Sequence, residues 1–159
     1  MPLKNFNLRA PEDASDRKLL ADIAEYGWHV VHITTNTDDP GYSFTVGLFY
    51  SFGHPELVIM GLSQEVSHGI LSAAVAEIRH GACYQSGATA DRLIESFSCT
   101  FSTIPVEQYK GYLGYAIWFY HSLPRPFPSL QVIWPDKSGH FPGDADYDRR
   151  YEALQKVIR

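Results

Sequence analysis

The chain has 159 residues, 45% of them hydrophobic, enough to bury a core as one domain (residues 1–159) without disulfide or metal staples. With 13 basic against 18 acidic residues its formal net charge is -5, the wrong sign for gripping a phosphate backbone, so nucleic acid is not expected as a partner. No segment approaches the roughly 20 apolar residues that span a bilayer, and "MPLKNFNLRAPEDASDRKLL" has no apolar signal region, so no membrane association and a cytoplasmic location are expected.

Residues 11–26 carry Leu19, Leu20, Ile23 and Ala24 at helical spacing, with Gly27 as the stop. "WHVVHITT" reads as a strand, and "NTDDPG" as a turn. Residues 42–50 alternate, with Tyr42, Phe44, Val46, Leu48 and Tyr50 on one face, which predicts one half-buried strand. Residues 57–62 are short and apolar throughout, as a central strand covered on both faces would be. Ser63 is a natural N-cap for a helix over 64–80, with Val66, Ile70, Leu71, Ala74, Val75 and Ile78 on its buried stripe. Phe97, Cys99 and Phe101 alternate as a further strand, in a region with room for one or two. A helix is expected from about residue 103 to 121, with Val106, Tyr109, Leu113, Ile117 and Tyr120 facing inward. "LPRPFP" ends it, and "SLQVIW" is a last short strand. After the turn-rich "PDKSGHFPGD", Tyr147, Tyr151, Leu154 and Ile158 predict a terminal helix capped by Asp144 or Asp146. The order predicts an α+β fold: a mixed or mostly antiparallel sheet of about five to six strands with about four helices packed on it.

Most patterns that carry chemistry are missing. Cys83 and Cys99 lack metal or redox spacing and are expected as buried, reduced thiols. Among the seven histidines there is no H-E-x-x-H, and His29 and His32, three apart on a strand, point to opposite faces. No phosphate-cradling glycine loop and no nucleophile elbow occur, so neither a metal nor a cofactor is expected. Two stiff segments remain. In "GHPEL", His54 and Glu56 flank a proline whose fixed φ would aim both side chains, which suits acid-base work as well as plain strand capping. In "WPDKSGHFPGD", Asp136 either joins them as a third catalytic group or simply closes its own turn. Tyr42, Trp134, His140 and Phe141 are the candidate ligand- or partner-binding residues, being aromatic groups that, Phe141 apart, carry a polar handle.

The pieces "YGWHV", "FTVGL", "GHPELVIMGL", Gly81 and "LQVIWPDKSGHFPGD" run in order over about residues 21–157, and on them the chain resembles the bacterial domain-of-unknown-function family 4262. Gly143 departs from the tryptophan expected in that pattern. The resemblance implies a small, stand-alone, soluble bacterial domain and brings no reaction, cofactor or catalytic residue with it. Two functions are then open. One is a binding protein for a protein partner or a small polar ligand, such as one neutralising a basic partner in a bacterial conflict system. The other is a small metal-independent enzyme using His54, Glu56 and Asp136 on a polar ligand. Ten tyrosines are compatible with a homodimer without requiring one.

Overall fold

The computed structural model of the chain describes residues 3–34 and 41–159. Among these residues it forms, in chain order, α1 (Ala14–Tyr26), β1 (His29–Ile33), β2 (Tyr42–Val46), α2 (Leu48–Phe52), β3 (Glu56–Met60), α3 (Gln64–Arg79), β4 (Thr89–Ile94), β5 (Phe97–Thr103), α4 (Tyr109–Tyr112), α5 (Gly114–Phe119) and β6 (Ser129–Ile133). The strands make one open sheet in the order β1-β2-β3-β6-β5-β4. Only β3 and β6 run parallel; the other pairs are antiparallel. The architecture is α+β, as the element order predicts.

Side-chain alternation along β3 explains the layering. Leu57 and Ile59 face α3, whose Leu71, Ala74, Val75 and Ile78 close one core together with Leu130, Val132, Cys99 and Phe101. Val58 and Met60 face the other way, into a second core of Phe44, Leu19, Ile23, Leu113 and Phe119 from β2, α1, the α4–α5 junction and α5. Every residue of β3 and β6 is buried. Local signals hold at α1, where Gly27 closes the end, and at α3, where Ser63 accepts the Val66 N–H at 3.1 Å; α1 starts at Ala14 rather than at residue 11, capped by Asp13, which accepts the Asp16 N–H at 2.9 Å.

Several expectations fail, each for a tertiary reason. The strand read over 42–50 stops at Val46, because Gly47 sits at φ +112° with the Gly27 carbonyl against it and the chain turns into α2. All of β2 but Tyr42 is buried, so it is not half-wet. The helix expected to about residue 121 breaks at Leu113 (φ -116°, ψ 37°), leaving a 3-10 turn, α4 and α5, with Val106 and Ile117 exposed rather than inward. Val66 is likewise 49% exposed. β4 provides the second strand of the 89–103 region. No terminal helix forms. Asp148, not Asp144 or Asp146, caps a single 3-10 turn at Arg149–Tyr151, and a turn and an irregular segment follow. Gln131 holds that segment, donating to the Lys156 carbonyl at 2.6 Å and accepting from the Ile158 N–H at 2.8 Å. Cys99 is buried, but Cys83 is exposed. The turn read at "NTDDPG" lies, apart from Gly41, outside the described residues. Among the described residues, no helix is long and apolar enough to cross a membrane.

Candidate functional site

The corner at "GHPEL" forms where α2 ends and β3 begins. His54 is 3% exposed and both ring nitrogens are engaged by backbone: Nδ1 lies 2.8 Å from the Pro55 carbonyl, and the Tyr84 N–H donates to Nε2 at 2.9 Å. An accepting Nε2 makes Nδ1 the protonated nitrogen. Burial holds the ring's pKa below the ordinary histidine value, against the pull of the Pro55 carbonyl. His54 therefore ties the corner to the loop after α3, where Tyr84 in turn stacks on Phe101 at 4.5 Å.

Glu56 is wholly buried and accepts five hydrogen bonds. Three come from the Gly47, Leu48 and Phe49 N–H groups at 3.1–3.2 Å, one from the Thr45 hydroxyl at 2.7 Å and one from the Tyr120 hydroxyl. The carboxylate thus caps the amino end of α2 from a position later in the chain. Burial pushes its pKa above the ordinary glutamate value, and the hydrogen bonds from Tyr120, Thr45 and the backbone pull the other way.

Asp136 is 3% exposed and organises its own loop. Its oxygens accept the Ser138, His140 and Asp148 N–H groups at 2.9, 2.9 and 2.8 Å, with the His140 ring 3.7 Å away. Burial raises its pKa, but these hydrogen bonds outweigh it and leave the carboxyl below the ordinary value of 3.8. A depressed folded-state pKa contributes stability that is present above the unfolded value and lost as pH falls through the folded one. The melting temperature is therefore expected to drop as pH is lowered below about 3.8, and Asp136→Asn should flatten that decline. Thermal melts of both proteins from neutral pH downward read it; identical slopes would remove Asp136 from the account.

The three groups do not meet. In the parallel pair, Glu56 is opposite Ser129 and Ile59 opposite Val132, so His54 and Glu56 stand at the leading end of β3 while Asp136 follows the trailing end of β6. A five-residue strand separates these ends by roughly 17 Å. Nor do the four aromatic candidates share a site. Tyr42 belongs to the α4–α5 face, its hydroxyl donating to the Tyr112 carbonyl at 2.9 Å, and Trp134 belongs to the α3 face. His140 and Phe141 stay in the Asp136 loop, where the Phe141 N–H donates to Asp144 at 2.8 Å.

Trp134 and Asp136 instead border a groove of about 430 Å³ at the carboxyl ends of β3 and β6, a place where open sheets commonly hold ligands. Its walls are Val66 and Ile70 of α3, Leu93 and Phe97 of the β4–β5 hairpin, and Trp134 with Tyr151. The wall is pre-formed: the Trp134 indole N–H donates to the Met60 carbonyl at 2.7 Å, and Gln155 brackets the Trp134 backbone at 3.0 and 2.8 Å. Gly69, inside α3, lines the groove, and a Cβ there would meet nothing within 4 Å. Asp136 has both oxygens engaged by backbone, and exposed Lys137 is the charge left at the rim.

Sequence reasoning singled out Trp134 but missed Gly69, Phe97 and Tyr151. The usable signal was the glycine, which interrupts an otherwise strong helix without ending it. Among the described residues no three His, Cys, Asp or Glu side chains gather into a metal-holding group. The family model described as a domain of unknown function (DUF4262) matches residues 22–148. No curated protein and no solved structure matches the chain significantly.

Proposed function

We propose that this chain, which belongs to the DUF4262 family, is a binding protein whose groove beside Trp134 takes the apolar body of a small molecule. Gly69 carries the reading. A glycine within a helix costs roughly 0.5–1 kcal/mol relative to alanine. Nothing in the fold requires it, since no neighbour would meet its Cβ and its φ is not left-handed. What the missing side chain preserves is the open groove. A groove of about 430 Å³ is within the usual range for small-molecule sites. The absence of an available acid-base pair in its wall favours binding over chemistry, because the Asp136 oxygens are already occupied. Neutralisation of a basic partner in a conflict system rests on net charge alone, which governs solubility and encounter rather than partner identity.

N-phenyl-1-naphthylamine, a neutral apolar fluorophore, tests the groove directly. It is expected to bind the wild-type protein, and Gly69→Phe, which fills the space, should weaken it at least roughly tenfold, the equivalent of about 1.4 kcal/mol. Gly69→Ala, whose methyl group intrudes on the groove, should bind more weakly than the wild type, though less so than Gly69→Phe, and melt higher, by the helix propensity above. Equal affinity of the wild type and Gly69→Phe would defeat the reading.

A further inference from the structure

A second groove, of about 390 Å³, opens on the opposite face of the sheet between α4–α5 and the proline-rich segment before β6. Its floor is a run of ring faces: Phe127 lies 4.9 Å from Tyr109 and 4.7 Å from Tyr120, centroid to centroid. Both tyrosine hydroxyls are turned to internal acceptors, Tyr109 to the Phe127 carbonyl at 2.7 Å and Tyr120 to Glu56, so the walls are left apolar. The lips are Val106 and Ile117, which are 50% and 38% exposed.

The charged side chains that line this groove are cationic. Lys110, His121 and Arg125 line it, all exposed, and no acidic residue does. Among the described residues neither Lys110 nor Arg125 takes part in an ion pair, although acids outnumber bases in the chain 18 to 13. Glu56, which accepts from the Tyr120 hydroxyl, is wholly buried and does not line the groove, and its carboxylate is met by five donors. Unpaired cations over an aromatic floor complement a molecule that is apolar along its body and anionic at one end. We propose that this groove is a second binding site, selective for a small organic anion with an apolar body, its acid group held by Lys110 and Arg125.

The anionic fluorophore 8-anilinonaphthalene-1-sulfonate tests the site, titrated in the Gly69→Phe background so that the first groove is filled. Lys110→Gln with Arg125→Gln is expected to weaken it about tenfold, while the neutral N-phenyl-1-naphthylamine is unaffected by the pair. Raising salt from about 50 to about 500 mM on the protein with both cations intact should weaken the anionic probe and not the neutral one, a reading that needs no further variant. An unchanged affinity in the double variant, an equal loss for the neutral probe, or no binding of the anion once Gly69 is filled would each overturn the proposal.

Discussion

Glu56→Ala is expected to destabilise the fold by about 3–5 kcal/mol, a large part of the 5–15 kcal/mol typical of a domain. The substitution removes one wholly buried acceptor and strands five donors: three amides at the amino end of α2, the Thr45 hydroxyl and the Tyr120 hydroxyl. Thr45 also accepts the Leu57 N–H at 2.9 Å and Tyr120 the Tyr50 N–H at 3.1 Å, so the loss spreads into β3 and α2. Glutamine keeps the shape but turns an amide NH2 toward donors, and should cost about 2 kcal/mol. Tyr120→Phe, which leaves the carboxylate its other four donors but also takes the acceptor from the Tyr50 N–H, should cost about 1–3 kcal/mol. Urea denaturation of the three variants measures the series. A loss below about 1 kcal/mol for alanine would mean that water or a rearranged α2 satisfies those groups in place of Glu56.

Gly61→Ala should cost about 2–4 kcal/mol and damage the Trp134 groove at the same time. Gly61 follows β3 at φ +90°, and a Cβ there would stand against the backbone carbonyl of Leu154. The left-handed conformation alone disfavours an L side chain by roughly 1–2 kcal/mol, and the remainder comes from displacing the C-terminal segment. That segment carries Gln155, which brackets the Trp134 backbone, and Tyr151, whose ring meets the Trp134 ring edge-on at 5.5 Å. The expected result is a lower urea midpoint together with weaker binding of N-phenyl-1-naphthylamine. Wild-type behaviour in both assays would show that the segment is not held against Gly61.

The two readings of "GHPEL" differ in what they require of His54. Catalysis needs a ring nitrogen free to exchange a proton, and a staple needs both nitrogens occupied. With Pro55 and Tyr84 on its two nitrogens, His54 meets the second requirement. A histidine beside a proline and a glutamate looks the same in sequence either way, because the deciding partner, Tyr84, lies 30 residues further along. The same holds for Asp136, whose acceptors are filled locally by Ser138 and His140 but also by Asp148.

What the sequence determined by itself is what short-range physics controls. Gly27 ends α1, Ser63 starts α3, and the apolar run over 57–62 places a central strand in an α+β sheet, because caps and periodicity act within a few residues. Tertiary structure alone decided the rest. Glu56 caps a helix that precedes it in the chain, Gln131 and Gln155 hold an irregular tail whose apolar spacing reads as helix, and Gly69 faces a groove built by a hairpin more than twenty residues away. Each of these depends on a buried donor, acceptor or space being matched by a group distant in sequence. Burial makes such matches energetically decisive, and only the folded chain brings them together.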